Sequence, residues 1–515
     1  MQPSVSRKWK AGGIGVGAIV AIVLRWVDLG RESIWFDEGM SWWLASLPPA
    51  EMLRTIRGDV AAPVYFLLLR GWTALFGDSS TAMRALSALA ATLVLGPVWY
   101  VARGSLRSPL SVGVAWTMAA VSFMQVQYAR DARYYALMTL FATLALAATM
   151  RLASRRSWGV IALFVACGVG GLYTHNMMMF CLVGLNAAWL LWPGERLARQ
   201  RLGDLCIANV TIALLYLPWV PTLLQQMKWM TGSFWATRPS LFDLGVTVAA
   251  ISGVDVYAAP GFAWQTLGIG MTAGGVSAFA SLCVLLLVAI GLTTTDSTQG
   301  RTAMALAAFA LLPVGLVFIY SQVRQPIFLE RVFIASSAVL PILLALSPDG
   351  ARRRPAIRII AGALVAALLL LGTISTATLL TGERKEDWRG AYATVAALPP
   401  SDRRLIVFNA NEGELPFAFY AVRDAGRLAE PRTGTPGGFF DLDPPKTIRR
   451  VTTDGDLAAL RRQVDSGAWD EIVLVLSHDA FADPDGRTEA ELRARWNVID
   501  ETRLRLVRVV RFRRR

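Results

Sequence analysis

Two adjacent acids, Asp37 and Glu38, sit in the stretch ESIWFDEGMSWW among Trp35, Phe36, Trp42 and Trp43. A third acid, Asp59, follows in IRGDVAAPVYFLLLRGW. A carboxylate within reach of a hydroxyl can take its proton as a general base. Four later stretches supply other chemistry. VQYARDARYYAL carries Tyr128, Arg130, Asp131 and Arg133. LYTHNMMM carries His175, QQMKWMTGSFWATRP carries Lys228 and Arg238, and SQVRQPIFLERVF carries Arg324, Glu330 and Arg331. Guanidinium groups present a planar fork of donors that matches phosphate. Acids and arginines brought together would suit a substrate pair in which one partner offers a hydroxyl and the other a phosphate. Each stretch also has a plainer reading. The turn around Asp131 can be a local ion pair, Arg324 and Arg331 can anchor helix ends at headgroups, and the tryptophans can be an interfacial belt.

The elements that would position these residues are membrane helices. Of 515 residues 54% are hydrophobic and only 17% charged, with mean hydropathy +0.45, too little charge for an ordinary soluble chain. Apolar runs of bilayer length predict about eleven spans. They lie at 11–27, 84–102, 110–124, 134–150, 158–173, 176–192, 204–224, 267–292, 302–320, 332–346 and 357–380. The basic loops 103–107, 151–157, 195–201 and 350–358 then fall on one side, as the excess of positive charge in cytoplasmic loops requires. This parity holds only if 242–259, broken by Gly253, Asp255 and Pro260, is an interfacial or re-entrant piece. Arg7, Lys8 and Lys10 precede the first run. With Arg25, Trp26 and Asp28 where a cleavage site would lie, that run reads as an uncleaved anchor with a cytoplasmic N-terminus. The candidate residues then share the outer face, the acids lying in a first outer loop, 28–83.

The formal charge of +14 follows from membrane topology and does not indicate nucleic acid. Cys167, Cys181, Cys206 and Cys283 lie in apolar runs without metal spacing and read as buried small residues. With only His175 and His478 in the chain, a His-rich zinc site is excluded. From 382 to 515 the composition turns soluble. RLIVFN, EIVLVLS and LRLVRVVRF read as strands, and helices are expected around Trp388–Val395 and Asp456–Val464. This predicts a small extracytoplasmic α/β domain after a transmembrane domain, 1–381.

IWFDEGMSWW, GDVAAPVYFLLLRGWTALFG, RALSAL, QYARDARYYAL, LYTHN, LYLPWVPTLLQQ and FLERVFIASSAVLP, in this order, resemble bacterial glycosyltransferases of the GT-C type. The nearest groups are the protein O-mannosyltransferase-like and lipid A aminoarabinose transferase-like enzymes. The resemblance covers roughly residues 10–380, and the tail opening KEDWRGAYATVAAL is similar to tails of bacterial members. It implies a polytopic α-helical membrane protein of the bacterial plasma membrane. Such an enzyme moves a sugar from a polyprenyl-phosphate donor to an extracytoplasmic hydroxyl on a glycan, lipid or protein, with inversion. Asp37 matches the family's acid taken as the base, with Glu38 beside it. Asp59 and Pro63 match a second acidic motif, whose His and first Pro are replaced here by Ala61 and Ala62. Tyr128, Arg130, Arg133 and Tyr134 match an aromatic-and-arginine turn, and Arg331 matches a candidate for the lipid phosphate. Asp131, His175 and Arg324 join these as candidate substrate-binding residues. No dinucleotide or phosphate-loop signature is present, in keeping with a lipid-linked donor. No metal is required by this chemistry, although first-loop carboxylates suit a divalent cation.

Two other classes share features with this chain. A transporter or flippase for a lipid-linked sugar predicts ionisable groups near mid-membrane and symmetry between halves, and neither is visible. A glycan polymerase or ligase shares the substrate class, and the long acidic first loop argues modestly against it.

Overall fold

The computed structural model describes residues 17–230, 236–257, 272–410, 413–424, 433–434, 452–478 and 482–515. The basic N-terminal residues, part of the 225–239 loop, Pro260, and the beginnings of the spans expected at 11 and 267 lie outside them. All eleven expected segments contain helix among the described residues. Among the described residues seven helices are long and apolar enough to cross a membrane: Ser80–Ser105, Tyr135–Ser154, Ala198–Lys228, Ala273–Thr294, Ser297–Val323, Glu330–Arg353 and Pro355–Thr381. The pair Pro109–Val121 and Phe123–Ala129, bent by 45°, makes an eighth. Gly17–Trp26, Trp158–Leu172 and Met178–Leu191 are shorter apolar helices, so the count of eleven full spans is not matched by length. Leu241–Ile251 has 11 residues and rises about 16 Å, roughly half a bilayer's hydrocarbon thickness.

Burial orders the bundle. In Glu330–Arg353, 94% of the most apolar window is buried, against 28% in Pro355–Thr381 and Ala198–Lys228. The first is therefore the central helix, and Arg331 stands at its beginning. Cys167, Cys181 and Cys283 are buried, whereas Cys206 is exposed. Cys206 lies on a peripheral helix, where an apolar position need not face the core.

The bend at Ser122 frees backbone acceptors, and these are satisfied. Arg25 Nη1 donates to the Ala120 carbonyl at 2.9 Å, and Thr376 Oγ1 to that of Val121 at 2.6 Å. A break at membrane depth persists only when the freed groups find partners inside the protein. At one end of the bundle the basic loops meet acids: Arg107 and Gln299 bond Asp296 and Asp349, and Arg156 and Arg196 pair with Asp204. The candidate acids and the Arg130–Arg133 turn lie at the other end.

The C-terminal region contains a sheet ordered β2-β1-β3-β5-β4. Its strands are β1 (Arg404–Phe408), β2 (Thr433–Gly434), β3 (Glu471–Leu476), β4 (Trp496–Leu504) and β5 (Val507–Arg514). β1 runs parallel to β2 and β3, while β5 is antiparallel to β3 and β4. Alternate side chains face opposite layers. Leu405, Val407 and Leu474 pack towards Leu460, Val464 and Leu492. Ile406, Phe408, Val473 and Val475 pack towards Trp388, Tyr392 and Val395. The stretch LRLVRVVRF, read as one strand, is instead the end of β4, a two-residue turn and β5. Leu506 turns the chain with φ 57°, a conformation the side-chain pattern does not announce.

Candidate active site

The acids are placed by the short helix Phe36–Ser46. Asp37 is buried, at 6% exposure. Its Oδ2 faces Arg331 Nη1 at 3.9 Å, longer than a direct charge-assisted hydrogen bond. Its backbone carbonyl accepts from Arg133 Nη1 at 3.2 Å and from Ser41 Oγ at 3.0 Å, which fixes the main chain behind the carboxylate.

Glu38 is fully buried and its oxygens are occupied. Arg84 grips it bidentately, Nε to Oε1 at 2.7 Å and Nη2 to Oε2 at 2.6 Å. The Ala132 N–H donates to Oε1 at 3.0 Å, and Lys385 Nζ lies 3.0 Å from Oε2. Burial alone would push this carboxyl up, but the charges of Arg84 and Lys385 hold it down at about 2. The remaining donors of Arg84 reach the carbonyls of Leu29, Glu32 and Ser33. Glu38 therefore ties the first loop to the Arg130–Arg133 turn, with no oxygen directed at a substrate.

Asp131 stands next to this tie. Its Oδ1 accepts from Trp35 Nε1 at 2.8 Å and Lys385 Nζ at 3.1 Å. Burial raises its carboxyl; Lys385 opposes and Glu38 adds to that rise. Arg130 spends its guanidinium on the carbonyls of Val27 and Asp28. Arg133 donates to Ser41 Oγ and, at 2.7 Å, to the Tyr134 hydroxyl. His175 packs on Tyr134 and Tyr135, ring centroids 4.6 and 5.8 Å away. Its Nδ1 accepts from the Met177 N–H, which places any ring proton on Nε2. Burial, with Arg133 and Arg331 near, lowers His175 to about 3, so at neutral pH it is no cation for a phosphate.

A cavity of about 570 Å³ opens beside these groups. Tyr128, Arg130, Asp131 and Arg331 line it, together with Glu330. Asp37 is not among the lining residues and meets the cavity through Arg331. Asp59 bonds its own neighbour, Oδ1 accepting from the Val60 N–H at 2.7 Å, and does not line the cavity. Its loop is held by Gln226 Nε2, which donates to the carbonyls of Ile56 and Ala61 at 3.0 Å each. Arg324 is exposed at the end of Ser297–Val323 and is not brought to the cavity.

Several participants were not singled out in the sequence. Arg84 was legible in principle, as a charge near the start of a 26-residue apolar helix. Lys385, Arg384 and Glu386 carry no such signal, because they lie in a charged strip of soluble composition. Yet Arg384, Lys385, Glu386 and Leu506 all line the cavity. Arg384 Nη1 pairs with Asp255 Oδ2 at 2.5 Å. Glu386 lies between His478 Nε2, at 2.9 Å, and the Trp388 indole N–H, at 2.5 Å. The neighbour of His478, Asp479, is outside the described residues. The helix Glu414–Ala421 closes over the first loop: a Cβ on Gly39 would come within 2.9 Å of the Pro416 nitrogen, and the Ile34 N–H donates to the Tyr420 hydroxyl at 2.8 Å.

Residues 60–221 match the family model described as dolichyl-phosphate-mannose-protein mannosyltransferase. That stretch contains the Tyr128–Tyr134 turn and His175 and leaves Asp37 outside. Among solved structures, the chain is similar to ArnT from Cupriavidus metallidurans in the apo state. Identity is 14%, 97% of this chain and 98% of that one are covered, and the TM-score is 0.58. It is also similar to ArnT from the same organism bound to undecaprenyl phosphate, with the same identity and coverage and a TM-score of 0.51. Among curated proteins none matches the sequence. The match over residues 60–221 and the ArnT-like fold together support a GT-C type membrane glycosyltransferase.

Proposed function

We propose that the protein transfers a sugar from a polyprenyl-phosphate-linked donor to an acceptor hydroxyl, with inversion at the anomeric carbon and Asp37 as general base. The observation that carries this reading is the pairing of Asp37 with Arg331 at 3.9 Å, where Arg331 forms part of the cavity wall. The ArnT structure bound to undecaprenyl phosphate supports the class of donor. The acceptor oxygen bonds to the anomeric carbon as the bond from that carbon to the phosphate oxygen breaks. The hydroxyl proton passes to Asp37, and the electron pair leaves with the polyprenyl phosphate. Arg331, which faces both Asp37 and the cavity, turns its fork of donors to that phosphate, with Tyr128 alongside; stabilising the departing charge is worth most in a dry, preorganised site. In this reading Glu38, Asp131, Arg130 and Arg133 hold the site and His175 packs it. Asp59 and Arg324 lie outside the reacting centre.

We place the cavity at the extracytoplasmic face of a bacterial plasma membrane, with a transmembrane domain over 1–381 and an extracytoplasmic domain over 382–515. The acceptor is a glycan, lipid or protein hydroxyl, and the chemistry proceeds without a metal. The reading is tested with purified protein and a polyprenyl-phosphate sugar of defined anomeric configuration. It expects a product of opposite configuration. Retention of configuration, or movement of the intact lipid-linked sugar across a vesicle without transfer, would overturn it.

A further inference from the structure

The C-terminal region brings Lys385, next to Arg384, into the site. Lys385 Nζ has three acceptors, Glu38 Oε2 at 3.0 Å, Asp131 Oδ1 at 3.1 Å and the Arg130 carbonyl at 3.3 Å. An ammonium has three donors, so none is left over for a substrate phosphate. The side chain is only 14% exposed. The backbone around it is clamped from both sides. The N–H groups of Arg384 and Lys385 donate to Glu32 Oε1 at 2.6 and 3.3 Å. From the sheet, Arg505 in the β4–β5 turn donates through Nε to the Lys385 carbonyl at 2.7 Å. Arg505 also pairs with Glu383. The result is a buried quartet of two cations, Arg84 and Lys385, and two anions, Glu38 and Asp131. Without Lys385, one negative charge stays uncompensated where Asp131 lines the cavity.

We propose that Lys385 is a positioning residue for transfer: supplied by the C-terminal region, it cancels the charge of Asp131 and locks the first loop to the Arg130–Arg133 turn, so that the cavity accepts a phosphate. This rests on the functional reading above for the nature of the ligand. A unit charge facing a phosphate across a partly shielded site changes binding about tenfold or more. The test uses full-length protein in detergent and undecaprenyl phosphate as the probe.

Lys385→Met is expected to weaken binding about tenfold. Lys385→Arg, and the charge-balanced pair Lys385→Met with Asp131→Asn, should stay within about threefold of wild type. Binding unchanged in Lys385→Met, or as weak in the charge-balanced pair as in Lys385→Met, overturns the proposal. A second arm reads thermal unfolding. Asp131→Asn introduced into Lys385→Met should recover most of the lost midpoint, and strictly additive losses overturn the lock. Wild type that binds no undecaprenyl phosphate contradicts the functional reading, while the thermal arm still decides the lock.

Discussion

At the scale of single residues, the site separates groups that hold from groups that face the cavity. Arg84, Arg130 and Arg133 donate to carbonyls, two hydroxyls and one carboxylate, Arg130 doing so from the cavity wall, whereas Arg331 faces both Asp37, at 3.9 Å, and the cavity. Arg331→Ala is therefore expected to lower kcat/KM by about 10²-fold, the scale of one lost donor to developing charge. Arg331→Lys should recover only part of this, since a point charge lacks the fork. Steady-state kinetics with varied donor distinguishes these outcomes. Asp37 and Arg331, which the fold brings to 3.9 Å, stand out in the sequence, the one as an acid beside a span, the other as an arginine at the start of an apolar helix. Spacing could not reveal that the neighbouring acid has the opposite fate. Glu38 differs from Asp37 by one position, but on a helix that is a rotation of about 100°, which turns it onto Arg84.

At the scale of elements, Glu38 ties the helix Phe36–Ser46 to Ser80–Ser105 and to the Arg130–Arg133 turn. Its carboxyl is held at about 2 against an ordinary value of 4.5. A depressed carboxyl stabilises the fold above its unfolded value and loses that contribution as pH falls through the folded one. The tie is thus complete above about pH 4.5 and released towards pH 2. Glu38→Gln should cost about 3–5 kcal/mol near neutrality, because Arg84 is left buried without its anion. The deficit should shrink as pH falls below about 4. Thermal unfolding of both proteins across pH measures it, and a deficit independent of pH would contradict the tie. The helices were readable from hydropathy, but their bends and lengths were not. The break at Ser122 has no proline or glycine at the bend; partners on Arg25 and Thr376 permit it, and these are distant in sequence.

At the scale of the whole molecule, the C-terminal region forms part of the cavity wall. Arg384, Lys385, Glu386 and Leu506 all line it, and Gly39 admits the helix Glu414–Ala421 against the first loop. The sequence marks this region by its change of composition and by β1, β3 and the helix Trp388–Ala396. It does not mark the docking, since the charged strip 383–387 looks like any solvated linker until Arg384 and Lys385 meet Glu32, Glu38, Asp131 and Asp255. The reaction proposed for this assembly rests on Asp37. The most direct measurement is sugar transfer by purified Asp37→Asn, reconstituted as the full chain, with donor binding and thermal midpoint recorded in parallel. Transfer should fall by about 10²–10⁴-fold, the contribution of a positioned base, while binding and midpoint stay near wild type. Transfer by Asp37→Asn at the wild-type rate would contradict the account.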